Sequence, residues 1–149
     1  MKESNITIMI FCEGTILKPK SIFSLYSHKK YLPIGNAVQK INNWWEQGAD
    51  IVYCTSRRGI GAEKMSELLK LYGFKGTILY SRERSETYKN IIESIRPNIL
   101  IEDDCRSIGG SWQMCLTHVS LEVKSSIKSI IVREFKGIDH LPEKLEQLF

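Results

Sequence analysis

Short apolar runs alternate with amphipathic segments along most of this chain, and this alternation constrains the fold more than any other feature. Runs rich in β-branched residues predict strands at residues 5–11, 50–55, 77–80, 98–102 and 126–132. Apolar residues at helical spacing predict helices at residues 34–48, 62–73, 85–95 and 141–149, with Ser85 as the cap of the third. Because strands that alternate with helices join through crossovers, the predicted class is α/β, with a mostly parallel sheet covered by helices on both faces.

Length and composition indicate one domain. A chain of 149 residues with 42% hydrophobic residues can bury one core, so we expect a single domain over residues 1–149. The formal net charge of +4 is compatible with an anionic ligand and leaves nucleic-acid binding open. No apolar run approaches the roughly 18 residues of a membrane-spanning helix, and no secretory signal is visible, so we expect a cytoplasmic protein without membrane contact. Nothing in the sequence indicates an oligomeric state.

Polar residues cluster just past the predicted strands, at the edge where open α/β sheets bind ligands. In chain order they are Glu13, Gly14, Thr15, Thr55, Ser56, Arg57, Arg58, Ser81, Arg82, Asp103 and Asp104. Adjacent carboxylates such as Asp103 and Asp104 are costly unless a cation or hydrogen-bond donors hold them. A Mg²⁺ ion would be such a partner, although the two acids could instead cap the following helix. The pair alone leaves both interpretations open.

A second group of residues at the same edge suits a phosphate. Thr55 or Ser56 could hydrogen-bond a phosphate, while Lys89 and Arg57 could neutralise its charge. Further arginines could approach the same rim, and we expect at least half of the rim arginines to be solvated surface charges. These further arginines are Arg58, Arg82, Arg84 and Arg106.

A long connection at residues 18–33 follows the first predicted strand and interleaves basic residues with aromatic ones. Connections of more than about 12 to 15 residues are often lids or binding loops. Basic and aromatic side chains together could stack on and neutralise a nucleotide, and a surface flap without a ligand is equally compatible with this composition. The sequence therefore predicts a small cap or lid here and leaves its ligand open.

The order of these groups resembles the haloacid dehalogenase (HAD) superfamily of phosphohydrolases. In that family the first strand ends in D-x-D-G-T, the second in Ser or Thr, and a later Lys precedes an acidic pair after the fourth strand. The matching residues are Glu13, Gly14, Thr15, Thr55, Lys89, Asp103 and Asp104. The strings TSR, R-x-R-x-x-x-x-K and I-x-DD-x-R also resemble, more weakly, the phosphatase domain of polynucleotide kinases. The resemblance implies a HAD-like Rossmannoid fold with little or no cap, a Mg²⁺ cofactor and a phosphorylated small molecule or nucleotide as ligand.

One position departs from the family's motif. Counting back from Gly14 and Thr15, the first Asp of D-x-D-G-T falls on Phe11 and the second on Glu13. In the family the first Asp attacks phosphorus and binds the metal, and the second acts as general acid and base. Phe11 has no lone pair for either role of the first Asp. Glu13 could still exchange a proton, although its extra methylene moves the carboxylate by about an ångström, which can cost roughly 10²-fold in rate.

We do not expect a cysteine to replace the missing nucleophile. Successive side chains of a strand point to opposite faces, so we expect Cys12 to point away from the side shared by Phe11 and Glu13. Cys12, Cys54 and Cys105 follow three predicted strand ends, and we interpret them as small buried residues in preference to a soft-metal or redox site.

Three hypotheses for the function follow from these residues. The first is a catalytically impaired HAD-like protein that binds a phosphorylated ligand or Mg²⁺ through Thr55, Lys89, Asp103 and Asp104. The second is an active Mg²⁺-dependent phosphatase on a small phosphorylated metabolite or nucleotide, in which Glu13 and a water act by an altered mechanism. The third is a non-catalytic interaction scaffold. Whether the chain is an enzyme stays open at this point.

Overall fold

The computed structural model describes residues 6–21, 31–76 and 78–149. Its main sheet contains β1 (Thr7–Phe11), β4 (Asp50–Cys54), β5 (Ile78–Tyr80), β6 (Ile99–Asp103) and β7 (Lys128–Val132). A separate antiparallel pair contains β2 (Leu17–Pro19) and β3 (Tyr31–Pro33). The helices are α1 (Ala37–Glu46), α2 (Ile60–Tyr72), α3 (Tyr88–Ile95) and α4 (Leu121–Ser125).

The five strands of the main sheet lie in the order β5-β4-β1-β6-β7 and pair in parallel throughout. The central strand β1 pairs with β4 on one side, where Phe11 lies opposite Cys54, and with β6 on the other. These pairings confirm the predicted α/β class with a mostly parallel sheet. Because parallel strands end at the same edge, the polar residues that follow β1, β4 and β6 are brought together.

The core lies on both faces of this sheet, because neighbouring side chains of β1 point in opposite directions. Ile8 and Ile10 belong to a buried cluster with Trp44 of α1 and Met65 of α2. Met9 belongs to a second buried cluster, which includes residues of α3 and α4. The helices therefore cover the sheet as the sequence pattern predicts.

The predicted closing helix at residues 141–149 is wrong. Only a single 3-10 turn forms there, at Leu145–Leu148, and both of these leucines are buried. The carbonyl groups before this turn accept hydrogen bonds from side chains of α1: Lys40 Nζ donates to Leu141 O, and Trp44 Nε1 donates to Pro142 O at 3.0 Å. Because α1 already satisfies these carbonyls, they do not form the repeating bonds of a helix.

The predicted cap of α3 is also corrected. The helix begins at Tyr88 and its cap is Thr87, whose side chain accepts a hydrogen bond from the backbone of Asn90. Asn90 Oδ1 in turn accepts from the backbone N–H of Thr87 at 2.9 Å. This reciprocal capping box, rather than Ser85, determines where the helix begins.

The connection at residues 18–33 is described only at its ends, where β2 and β3 pair. The segment 22–30 lies outside the described residues, so the cap or lid stays a prediction.

Within the described part of the chain, no helix combines the length and the hydropathy that crossing a membrane would require.

Candidate functional site

A cavity of about 650 Å³ opens where β1, β4 and β6 end. Its lining combines aromatic rings with carboxyl groups, and these residues are Phe11, Tyr31, Tyr88, Phe135, Glu13, Glu102, Asp103 and Glu134. The end of β1 supplies Phe11 and Glu13, and the end of β6 supplies Glu102 and Asp103. The cavity therefore lies at the sheet edge where the sequence predicts a ligand.

Phe11 lines the cavity at the end of β1. Its ring contacts that of Tyr88 edge to face, with centroids 5.7 Å apart and planes at 85°. Cys12, the next residue, is fully buried in the core cluster on the other face of the sheet, and burial raises the pKa of its thiol. The aromatic ring of Phe11 thus lines the cavity, and the neighbouring thiol packs on the other face of the sheet.

The carboxylate of Glu13 is held by donors that follow β4. Thr55 Oγ1 donates to Glu13 Oε1, the backbone N–H of Ser56 donates to Oε2 at 3.4 Å, and Arg57 Nε lies 3.9 Å from Oε1. Arg57 Nη2 also donates to the hydroxyl of Tyr31 at 3.3 Å. Burial raises the pKa of Glu13, while the Thr55 hydrogen bond and the Arg57 charge act to lower it. Three of the predicted phosphate-binding residues therefore converge on one internal carboxylate.

The second carboxylate at the edge, Asp103, is buried and hydrogen-bonded. It accepts from Thr15 Oγ1 at 3.0 Å and from the backbone N–H of Cys105 at 3.1 Å. Burial raises its pKa despite these bonds. Gly14 makes room for this carboxylate: its φ is +88°, and a Cβ there would lie 2.8 Å from Asp103 Oδ1. The glycine of the E-G-T string is thus required by a close approach as well as by its backbone conformation.

Four of the predicted site residues lie outside the cavity lining. Thr55 and Arg57 contact Glu13 without lining the cavity themselves, and Lys89 and Asp104 have other partners. Lys89 Nζ forms an ion pair with Glu93, at 2.9 Å from each carboxylate oxygen. Asp104 Oδ1 accepts from the backbone N–H of Glu134 at 3.2 Å, and its other oxygen lies 3.9 Å from Arg106 Nε. Asp103 and Asp104 thus have separate partners, because adjacent side chains at a strand end point in different directions. The predicted phosphate and metal roles of Lys89 and Asp104 stay predictions.

The structure adds cavity residues that the sequence pattern does not single out. Glu102 is buried within β6, and its carboxylate accepts from the backbone N–H groups of Cys115 at 2.6 Å and Leu116 at 3.2 Å. Burial raises the pKa of Glu102 to about 7. Tyr88 reaches the cavity from the first turn of α3. In the sequence, Glu102 could have been noticed as an acidic residue inside the otherwise apolar start of the strand ILIED.

Two cysteines also line the cavity, Cys105 and Cys115. Burial raises the pKa of the Cys105 thiol to about 12. The pKa of Cys115 is also raised, first by a hydrogen bond with Cys54 and then by burial. Neutral thiols are poor nucleophiles, which agrees with the interpretation of Cys105 as a small buried residue.

The described residues at this edge do not form a preassembled metal site. Among the residues that the structure describes, no group of three or more His, Cys, Asp or Glu side chains is placed to hold a metal. Both oxygens of Asp103 accept hydrogen bonds, and Phe11 has no ligand atom. The carboxylate of Glu13 is bound by Thr55 and lies beside Arg57. Because Mg²⁺ is commonly held by one or two carboxylates together with waters and a substrate phosphate, the predicted Mg²⁺ cofactor stays a prediction.

Comparisons with known proteins found similar solved structures and no similar sequence. No protein-family model and no curated protein matches this chain. The chain is similar to one from the structure of the Pnkp1/Rnl/Hen1 RNA repair complex, with a TM-score of 0.62 and 13% identity over 86% of this chain and 42% of that one. A structure of the Pnkp1/Rnl/Hen1 complex gives a TM-score of 0.63 and 13% identity over 88% and 47%. The chain thus spans less than half of each of these two chains.

A third similar structure is D,D-heptose 1.7-bisphosphate phosphatase from B. bronchiseptica, complexed with magnesium and phosphate. The TM-score is 0.51 and the identity 10%, over 87% of this chain and 93% of that one. That enzyme is a HAD-family phosphatase. The chain has a HAD-like fold. At these identities the similarity establishes the fold alone and says nothing of the activity.

Proposed function

We propose that this HAD-like protein is a pseudoenzyme that binds a phosphorylated ligand in the cavity without hydrolysing it. The observation that supports the proposal is the donor set after β4: Thr55, Ser56 and Arg57 already surround both oxygens of a carboxylate. A phosphate monoester presents the same kind of anionic oxygen acceptors to hydroxyl, backbone and guanidinium donors. The ligand in this proposal takes the place of the Glu13 carboxylate.

The same residues argue against the family's hydrolytic chemistry. Phe11 lacks the lone pair of a nucleophile, and removing the nucleophile of a serine protease costs on the order of 10⁶ in turnover. An altered mechanism would need Glu13 to activate a water, yet Thr55 and Arg57 engage its carboxylate. A scaffold without a ligand would have no use for several buried carboxyl groups around an open cavity. Binding without turnover is the function that this geometry favours.

Protonation of an acid in the cavity lowers the repulsion that an entering anion meets. Burial raises the pKa values of Glu13, Asp103 and Glu102. A phosphate that enters the cavity raises these pKa values further by repulsion, so that its binding is accompanied by proton uptake. We therefore expect phosphate monoesters to bind more tightly as the pH falls from about 8 towards about 6.

Titration calorimetry with ribose 5-phosphate tests the proposal. The natural protein should bind it saturably, and Thr55→Val should weaken binding about tenfold because it removes the hydroxyl while keeping the shape. Thr7→Val, at the opposite end of β1, is the matched control and should bind as the natural protein does. Failure of the natural protein to bind ribose 5-phosphate, or equal binding by Thr55→Val, would contradict the proposal.

A further inference from the structure

A groove lies next to the cavity, between the beginning of α3 and the segment that follows β6. Its volume is about 290 Å³, and its lining includes Arg82, Tyr88, Lys89, Trp112, Gln113 and His118. Arg82, Tyr88 and Gln113 also line the cavity. The groove and the cavity therefore meet at these shared side chains, and one ligand can reach both.

The charge of the groove is opposite to that of the cavity. Glu13, Glu102, Asp103 and Glu134 line the cavity. Within the described part of the chain, the side chains that line the groove include Arg82 and Lys89 and no carboxylate. Glu93 pairs with Lys89 from outside this lining, through two hydrogen bonds of 2.9 Å, and an ammonium group has three donors. The groove thus favours an anionic group at its junction with the cavity.

Arg82 marks that junction. Its guanidinium carbon lies 4.3 Å from the centroid of the Tyr88 ring, a cation–π contact that fixes the position of the side chain. Its Nε atom is buried and has no hydrogen-bond partner among the described residues. A buried donor without an acceptor is costly, and an arginine donor pairs best with an anionic oxygen. Because Nε is closed to solvent in this arrangement, a phosphate oxygen at the junction would satisfy it once the Arg82 side chain turns towards the ligand.

Trp112 forms the outer wall of the groove and is 70% exposed. The ring of His118 contacts it edge to face at 4.5 Å, and His118 Nε2 lies 3.1 Å from the carbonyl oxygen of Trp112. These contacts position the indole while leaving much of its surface open. An exposed aromatic ring beside cationic side chains is the arrangement on which nucleobases stack.

We propose that the groove binds the base of a nucleoside monophosphate, stacked on Trp112, while the phosphate passes Arg82 and enters the cavity. The phosphate half of this inference rests on the proposed function. The part of the inference that concerns the nucleobase rests on the groove alone. It specifies the ligand class as a nucleotide in preference to a sugar phosphate.

Titration calorimetry with adenosine, adenosine 5′-monophosphate and ribose 5-phosphate tests the inference. The natural protein should bind the nucleotide about tenfold more tightly than ribose 5-phosphate, because stacking adds to the phosphate contacts. Trp112→Ala should abolish this preference. Trp45→Ala is the matched control, since Trp45 is 37% exposed and contacts Lys75 away from the groove. It should retain the preference.

The three probes separate the inference from the proposed function. Adenosine reports on the groove, and ribose 5-phosphate reports on the cavity. If adenosine and the nucleotide bind through Trp112 while ribose 5-phosphate does not bind, the inference is supported and the proposed function fails. If the nucleotide and ribose 5-phosphate bind equally, or if Trp112→Ala keeps the preference, the inference is overturned and the proposed function stands. Absence of binding by both adenosine and the nucleotide also overturns it.

Discussion

The cavity and the groove differ in how their polar groups are satisfied. In the cavity, the carboxylates of Glu13, Asp103 and Glu102 are buried and accept hydrogen bonds from nearby hydroxyl and backbone donors. In the groove, Arg82 Nε is buried without a partner among the described residues, and Trp112 is exposed. The carboxylates of the cavity thus already have hydrogen-bond donors, whereas the groove presents an exposed indole and shares with the cavity the unsatisfied donor of Arg82.

This difference bears on the proposal that the cavity binds a ligand without hydrolysing it. The donors after β4 hold the carboxylate of the chain's own Glu13. A ligand must compete with that carboxylate in the cavity, whereas in the groove it meets no internal competitor among the described lining residues. Affinity gained in the groove would therefore help to offset the cost of displacing Glu13.

The largest expected effect concerns charge in the cavity. Burial raises the pKa of Glu102 from 4.5 to about 7, so the folded protein retains a proton at pH values where the unfolded chain has released it. The stabilisation from this group is complete below its unfolded pKa and is lost as the pH rises through the folded value, an effect of roughly 3 kcal/mol. Urea unfolding across this pH range should show a smaller fall in stability for Glu102→Gln.

The control for this experiment is Glu146→Gln, at an exposed position in the C-terminal 3-10 turn. Its pH dependence should match that of the natural protein. Glu102→Gln loses a hydrogen bond at every pH, because an amide cannot accept from two backbone donors through both of its end atoms. The readout is therefore the slope and not the absolute stability. Parallel curves for Glu102→Gln and the natural protein would show that the cavity acid titrates normally.

A smaller effect is expected from the close approach of Gly14 to Asp103. Gly14 and Gly73 have nearly the same φ, +88° and +84°, but a Cβ at Gly73 meets nothing within 4 Å. Alanine at either position strains the backbone, and only Gly14→Ala also displaces a buried, hydrogen-bonded carboxylate. Urea unfolding should show that Gly14→Ala loses about 2 kcal/mol more than Gly73→Ala. Equal losses would mean that the contact with Asp103 is easily relaxed.

The smallest expected effect is a change in affinity for ribose 5-phosphate, which reports on the cavity, without a change for adenosine, which reports on the groove. Glu13→Gln keeps an acceptor for Thr55 but removes the charge that competes with a phosphate. Ribose 5-phosphate should bind this variant about tenfold more tightly at about pH 8, which is about 1.4 kcal/mol, and adenosine should bind it unchanged. Calorimetry measures both. Unchanged affinity for ribose 5-phosphate would show that the phosphate does not displace Glu13.

Much of the scaffold follows from local sequence patterns. The apolar run of β1 and the polar residues after β1, β4 and β6 predict a parallel sheet with a ligand edge, because strand position alone brings these ends together. The closing helix fails as a prediction because α1 takes the carbonyl groups that a helix would need. Leucines spaced for a helix in sequence pack equally well from a short 3-10 turn.

The site is less predictable than the scaffold, because side-chain direction and distant partners decide it. Glu13 and its donor Thr55 are 42 positions apart in the sequence. No local sequence pattern therefore predicts that donors suited to phosphate bind the Glu13 carboxylate. Lys89 turns to Glu93, one helical turn along α3, rather than to the cavity. The aromatic groove is assembled from segments that precede and follow β6, and no single motif contains it.

Phosphate release under single-turnover conditions tests the central claim most directly. Natural protein and Phe11→Asp would each be mixed, in excess, with adenosine 5′-monophosphate or ribose 5-phosphate and Mg²⁺. We expect the natural protein to bind the ester and the ester to be recovered intact. Release by the Phe11→Asp variant alone would assign the missing step to this one side chain. Release of a full equivalent of phosphate by the natural protein would contradict the pseudoenzyme proposal.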